Sequence, residues 1–202
     1  MYTEDNFKKK STRQKSNFLR YFEGYTEVPS LTPQGAVQVK MVYTAPYWVH
    51  DMTDREWKRR KAGFGGLTTL ITALYLCGAF MPLGGNAARY MMLPGGITAA
   101  ILLFLITYTV AYLSRPRKMT VYDYRHTHGA LRRWPFLTAL GLLATGIMSV
   151  VCLIADGEGK TLRLLLCAGC YFVGAFAAFI MYRMENKTEY YEEENENGYT
   201  SF

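Results

Sequence analysis

The fold is decided by the stretch AGFGGLTTLITALYLCGAFMPL at residues 62–83, which is apolar and carries no charged side chain. Three stretches of the same kind follow, at residues 90–114, 134–155 and 164–182. Each is long enough to cross a hydrocarbon core of ~30 Å as a helix, which takes about 20 residues. The sequence therefore predicts an all-α integral membrane protein with four transmembrane helices.

Averages over the whole chain conceal this pattern, because the mean hydropathy is near zero and 19% of the 202 residues are charged. The averages mix two kinds of segment, since the Lys, Arg, Asp and Glu residues lie outside the four apolar stretches. We predict a four-helix transmembrane domain at residues 52–184, with polar segments before and after it.

Lys and Arg are distributed unevenly between the loops. Five of them precede the first apolar stretch at residues 55–61, and six lie at residues 115–133, between the second and third stretches. The other two loops hold only Arg89 in one and Lys160 and Arg163 in the other. Because cationic flanks are retained in the cytoplasm, we predict a multi-pass protein of the plasma (cell) membrane with both termini cytoplasmic.

The first 17 residues form a basic segment with little apolar surface, and five of them are Lys or Arg. We predict that residues 1–17 are a disordered tail drawn to anionic lipid headgroups, with plain solvation as the alternative. No aromatic side chain interleaves the charges from Lys8 to Lys15, so no specific nucleic-acid partner is predicted.

Two-residue alternation of side chains marks residues 18–51. Tyr21, Glu23, Tyr25 and Glu27 fall on one side of a strand, and residues 37–43 repeat the pattern. The sequence TPQG at residues 32–35 between them suits a tight turn. We predict a small cytoplasmic β-hairpin, which either anchors at the membrane surface through Tyr47 and Trp48 or offers a strand edge to a partner.

A pattern M-T-x-x-acid-aromatic-base occurs at Met52 and again at Met119. In both copies the threonine, Thr53 or Thr120, suits a helix N-cap, with an acidic residue three positions later. Each copy precedes a pair of apolar stretches, so the halves 52–118 and 119–184 predict two parallel helical-hairpin repeats. Convergent capping is the alternative.

A helical stripe of Val121, Tyr124, His128 and Leu131 predicts an amphipathic helix along the headgroups, which Pro135 ends or kinks. Two histidines of this region, at 126 and 128, could join His50 on the same side of the membrane. A helical i,i+2 pair points in divergent directions, and no carboxylate is placed with the three rings. We therefore predict no metal site.

The four cysteines are the remaining candidates for chemistry. With the predicted topology Cys77, Cys152, Cys167 and Cys170 all fall in the outer half of the bilayer, the last two on one helix face. A thiol relay to the outside would need a cysteine in an outer loop, and neither outer loop has one. We predict that the thiols pack as small apolar groups, with redox activity as the minor alternative.

Ionisable side chains are absent from the four stretches, which argues against proton relays, ion-coupled carriers and voltage sensors. We expect the hydroxyls there to bond backbone carbonyls or a neighbouring helix. Small residues are expected to mark close helix contacts within the bundle, with a second subunit as the alternative. The hydroxyls are Thr68, Thr69, Thr72, Thr98, Thr107, Thr109, Thr138, Thr145 and Ser149, and the small residues are Gly141, Thr145, Gly169, Gly174 and Ala178.

The last 18 residues, 185–202, are rich in glutamate and are predicted to be a disordered acidic tail. The chain as a whole predicts a non-catalytic subunit or scaffold of a membrane complex, whose partners are the lipid bilayer and a second protein or further copies of itself. The alternatives are a transporter or channel component for a neutral solute, and a membrane thiol redox protein. No catalytic, cofactor-binding or metal-binding residue and no cofactor is predicted.

Overall fold

Four long helices dominate the computed structural model, which describes residues 23–31, 37–81, 86–156 and 161–195. They are α1 (Asp54–Ala79), α2 (Asn86–Ser114), α3 (Val121–Asp156) and α4 (Thr161–Asn186). Each is long and apolar enough to span a membrane, which confirms the four predicted helices.

The chain divides into two compact units. The helical unit consists of Met52–Arg115 and Thr127–Thr188, and the strand unit consists of Met1–Asp51, Pro116–His126 and Glu189–Phe202. The strand unit is thus assembled from three separate segments of the chain. The prediction divided the chain into consecutive domains, and it did not foresee this assembly.

Helices α1 and α2 run antiparallel in the helical unit. The ammonium of Lys61 at the start of α1 donates a hydrogen bond of 2.8 Å to the carbonyl of Leu113 at the end of α2. At the other end, the hydroxyl of Tyr75 donates one of 2.9 Å to the carbonyl of Gly95. The core between the four helices contains fully buried Phe64, Ile71, Leu105, Leu131, Leu142 and Met181.

Both predicted N-caps are present. The Thr53 hydroxyl accepts a bond from the Glu56 N–H, and the Glu56 carboxylate accepts one of 2.9 Å from the Thr53 N–H. The Thr120 hydroxyl accepts one of 3.2 Å from the Asp123 N–H. These bonds satisfy donors that a helix start leaves open. The shared pattern thus has a capping role in both places, while the duplication of the two halves stays a prediction.

Helix α3 continues through Pro135 without a break, so of the two effects predicted for this proline, a helix end or a kink, the helix end is wrong. The long run of backbone bonds on both sides outweighs the one amide donor that proline lacks. Two members of the predicted stripe pack within the helical unit. Leu131 is fully buried in the core, and His128 bonds a side chain of α4.

The small residues mark close helix contacts, with one exception. A Cβ atom added at Gly141 would lie 3.0 Å from the Thr98 hydroxyl, and one at Gly174 would lie 3.3 Å from Leu142. At Gly169 a Cβ would meet nothing within 4 Å, so the predicted contact within the bundle is wrong at this position. Among the described glycines of the helical unit, the one with the closest neighbour was not predicted.

That closest contact lies between α1 and α4, where a Cβ added at Gly78 would be 2.8 Å from the ring of Tyr171. Gly78 is buried, and its carbonyl accepts a bond of 3.4 Å from the thiol of Cys167 on α4. A glycine is required here because the aromatic ring occupies the space of a side chain.

In the strand unit, β1 (Tyr25–Leu31) pairs antiparallel with β2 (Val37–Tyr43). The predicted turn at residues 32–35 and the predicted basic tail at residues 1–17 lie outside the described residues. The side chain of Tyr43 holds this sheet, since its hydroxyl donates to the Pro46 carbonyl at 2.8 Å and accepts from the Val121 N–H at 3.1 Å. Burial raises the pKa of this hydroxyl, which keeps it protonated and able to donate.

A second sheet pairs β3 (Tyr47–His50) with β4 (Tyr190–Glu193). The acidic segment from residue 185 is therefore not disordered throughout, which corrects the prediction. Its first residues complete α4 and the next form β4, because strand pairing and burial outweigh the repulsion between its carboxylates. The ring of Trp48 on β3 stacks on the ring of Tyr124, with ring centres 4.1 Å apart. Trp48, which was considered as a membrane anchor, thus has a contact within the protein.

Gly78→Ala should lower the free energy of unfolding by about 1–3 kcal/mol, because the added methyl overlaps the Tyr171 ring. Thermal unfolding of the purified protein in detergent would measure the change.

The matched control is Gly66→Ala on the same helix, where a Cβ would meet nothing within 4 Å. That variant should be neutral or more stable, because alanine favours helix over glycine. Equal loss in both variants would contradict the steric account.

Candidate functional site: a buried charged cluster

A cluster of charged side chains lies at the end of the helical unit where α1 begins and α4 ends. Arg60 comes from α1, His128 from α3 and Glu185 from α4. The side chain of Glu185 is fully buried, and those of Arg60 and His128 are 11% and 15% exposed. Three helices therefore contribute one group each to a nearly dry site.

Each oxygen of the Glu185 carboxylate has its own donor. The Nη2 atom of Arg60 donates to Oε2 at 2.8 Å, and the Nδ1 atom of His128 lies 2.6 Å from Oε1. Because an ionised carboxylate only accepts, the histidine bond places a proton on Nδ1. Arg60 also donates to the carbonyl of Met184 at 3.0 Å, a carbonyl of the last turn of α4.

Aromatic side chains surround the guanidinium. The Arg60 guanidinium carbon lies 5.3 Å from the centre of the Phe64 ring, within the range of a cation–π contact. The buried ring of Tyr112 on α2 packs against Phe64 and against Trp57, with ring centres 5.2 Å apart in both cases. Helix α2 thus contributes an aromatic side chain to the surroundings of the site.

Local sequence explains why these residues reach the site. Arg60 lies three residues after Trp57 and four before Phe64, so it belongs to the buried stripe of α1. Glu185 lies four residues after fully buried Met181 on α4. The site was not predicted, because Arg60 counted only among the cationic residues before the first apolar stretch and Glu185 only as the first residue of the predicted acidic tail. On both α1 and α4 the stripe of buried apolar residues continues with one charged residue. This continuation is the signal in the sequence that could have indicated the site.

The cluster is suited to joining helices. Moving an ion out of water costs several kcal/mol, and a buried pair offsets this only when good hydrogen bonds satisfy both partners. The fully buried carboxylate has no surface to offer a substrate, while its two donors hold α1 and α3 to α4. We therefore assign it a structural role in the helical unit.

The three histidines considered as a metal trio have separate surroundings. His128 belongs to the charged cluster in the helical unit, whereas His50 and His126 belong to the strand unit. There His50 packs against Tyr190, and His126 packs against Tyr122 with ring centres 4.3 Å apart. In residues 23–31, 37–81, 86–156 and 161–195, no group of three His, Cys, Asp or Glu side chains is arranged to hold a metal ion.

The cysteines differ in their surroundings, and all four are free thiols. Cys167 is fully buried and accepts a weak bond from the Ser149 hydroxyl at 3.9 Å, besides its bond to Gly78. Cys152 is also buried, whereas Cys77 is exposed. Cys167 thus contacts both α1 and α3 as a packing residue of the core.

Threonine hydroxyls in the helices behave as predicted. Thr69 donates to the Gly65 carbonyl at 2.9 Å and Thr72 to the Thr68 carbonyl at 2.8 Å, one turn earlier on α1. Two pairs bridge helices through their hydroxyl oxygens. These are Thr68 with Thr109 at 3.2 Å, and Thr98 with Thr145 at 3.0 Å.

Glu185→Gln should lower the free energy of unfolding by about 3–5 kcal/mol, because it leaves the Arg60 charge buried beside a neutral amide. Chemical denaturation of the protein in detergent micelles would report the loss. The exposed residue Glu192 provides the control, since Glu192→Gln should change stability by less than about 0.5 kcal/mol.

Replacing both partners tests the pairing itself. The double variant Arg60→Met with Glu185→Met should be more stable than either single variant, since no unpaired charge is left in the core. Strictly additive losses would show that the two side chains do not act as a pair.

Comparison of the chain with protein-family models, with curated proteins and with solved structures finds no match. What the protein does is therefore inferred from its own residues and contacts.

Proposed function

We propose that the protein is a multi-pass membrane protein that serves as a non-catalytic subunit or scaffold, with the strand unit holding a partner protein outside the bilayer. The four apolar helices support insertion in a membrane. The strand unit supports the partner, because it presents backbone edges of the kind that bind added strands.

The observation that carries this proposal is the open sheet of β1 and β2. Among the described residues these strands pair only with each other, so each has an outer edge without a further strand. β1 contains Pro29, which has no N–H to offer. β2 contains no proline and exposes 59% of Val39. We therefore place the partner's strand along β2.

The sheet is fixed in place, which reduces the entropy lost on binding. The Gly24 carbonyl before β1 accepts bonds from the N–H groups of Thr44 and Ala45, at 2.8 and 3.1 Å. Glu23 accepts two bonds from the Arg125 guanidinium, at 2.7 and 2.9 Å. The start of β1 and the end of β2 are thus tied together, and Arg125 holds this end of the sheet to α3 within the strand unit.

Many polar groups of the helices have hydrogen-bond partners within the protein, which supports a non-catalytic role. The threonine hydroxyls bond carbonyls of their own helices or one another, the Glu185 carboxylate is enclosed by two donors, and Cys167 is buried. The alternatives, a threonine-lined path for a neutral solute and a thiol redox protein, receive less support because these hydroxyls already have partners within the protein and Cys167 is buried.

Val39→Lys should abolish stoichiometric copurification of a partner protein, because a charge on an edge strand opposes strand addition. Crosslinking in membranes followed by purification of the tagged protein and mass spectrometry would measure it. Glu27→Lys, at an exposed position of β1, is the matched control and should retain the partner. Isolation of the wild-type chain without any stoichiometric protein would contradict the proposed function.

Orientation in the plasma membrane is part of the same proposal and rests on the Lys and Arg asymmetry of the loops. Reporters fused to the N terminus and to the C terminus should both be active in the cytoplasm and silent outside. A C-terminal reporter active outside the cell would reverse the proposed topology.

A further inference from the structure

An open groove of about 500 Å³ lies between α1 and α2 on the outer face of the helical unit. The α1 side is formed by Gly65, Thr69, Thr72, Ala73 and Leu76, and the α2 side includes Leu113. Thr69, Ala73 and Leu76 are exposed. From Gly65 to Leu76 the groove extends along the helix axis for about 17 Å.

The groove presents an apolar surface in spite of its threonines. Because the hydroxyls of Thr69 and Thr72 bond carbonyls of their own helix, their methyl groups remain to line the groove. A polar solute would find few hydrogen-bonding partners there, whereas a hydrocarbon chain would find a continuous apolar floor.

One end of this groove is cationic. Lys61 lies one turn before Gly65 on the same stripe of α1, and its ammonium bonds the carbonyls of Leu113 and Arg115. The same ammonium lies 5.2 Å from the centre of the Trp57 ring, so Lys61 contributes a positive charge at this end of the groove. Lys58, a further turn back, is exposed. A positive end joined to an apolar groove complements a molecule with an anionic head and a hydrocarbon chain.

We propose that this groove binds one acyl chain of an anionic glycerophospholipid, with the phosphate of its headgroup held by Lys61 and Lys58. The inference rests on the proposed insertion in a membrane and is independent of the proposed protein partner. The cationic end lies where the Lys and Arg asymmetry puts the cytoplasmic leaflet, in which anionic lipids attract such clusters.

The test uses the full-length protein purified in mild detergent with equal amounts of phosphatidylglycerol and phosphatidylcholine. Native mass spectrometry should show one phosphatidylglycerol retained in preference to phosphatidylcholine. The double variant K58Q/K61Q should lower this preference by about fivefold for each lost charge, whereas Arg59→Gln, an exposed neighbour outside the stripe, should not change it.

Ala73→Phe should abolish lipid retention, because the ring fills the groove from an exposed position. Leu70→Phe, at an exposed position nearby that does not line the groove, is the control and should retain the lipid. Thr69→Leu is a smaller second variant that should weaken retention if Ala73→Phe does not fold.

Equal retention of both lipids by the wild-type protein, or full retention by Thr69→Leu and Ala73→Phe, would overturn the lipid site. Failure of membrane insertion is recognised separately, since the wild-type protein would then be released from membranes by an alkaline carbonate wash. An inserted protein without lipid preference therefore contradicts this inference alone.

Discussion

The burial of one carboxylate constrains the helical unit more than any other single interaction. Glu185 is fully buried, and an isolated charge in such surroundings would cost several kcal/mol. Arg60 and His128 must therefore stay within hydrogen-bond distance of its two oxygens. Because the three residues lie on three helices, satisfying one side chain fixes the ends of α1, α3 and α4 together.

The same requirement governs the apolar parts of the helices. In a hydrocarbon surrounding, polar atoms need partners within the protein. Threonine meets this need locally, by bonding the carbonyl one turn earlier, as Thr69 and Thr72 do. It also meets the need between helices, as in the pair of Thr98 and Thr145. The hydroxyls thereby support helix packing and leave methyl groups on the surface.

The two sheets of the strand unit are stabilised in a different way. A two-stranded sheet is marginally stable alone, and both sheets here obtain further contacts from distant segments. The Asn195 amide donates to the Tyr43 carbonyl at 2.7 Å, and Trp48 exchanges two backbone bonds with Met119 at 2.8 and 3.0 Å. These contacts tie β2 and β3 to distant segments within the strand unit.

The sequence by itself determined the features that depend on neighbouring residues. Uninterrupted apolar stretches are sufficient for long helices, and threonine followed by an acid is sufficient for the caps at Thr53 and Thr120. Alternation likewise predicted β2 at residues 37–43, and it predicted β1 in part, because this strand begins at Tyr25 and Glu23 lies before it. In each case the residues that determine the structure lie within one helix or strand, or within two that are adjacent in sequence.

Tertiary structure decided the pairing of β3 with β4 and the charged cluster, since both join residues far apart in the chain. Arg60 and Glu185 are 125 positions apart, and no local pattern states which distant charge each will meet. The need for glycine at Gly78 is set by a ring on another helix. Whether a charge can be buried, or two helices can approach closely, depends on the residue that packs opposite. Tertiary structure alone determines which residue that is.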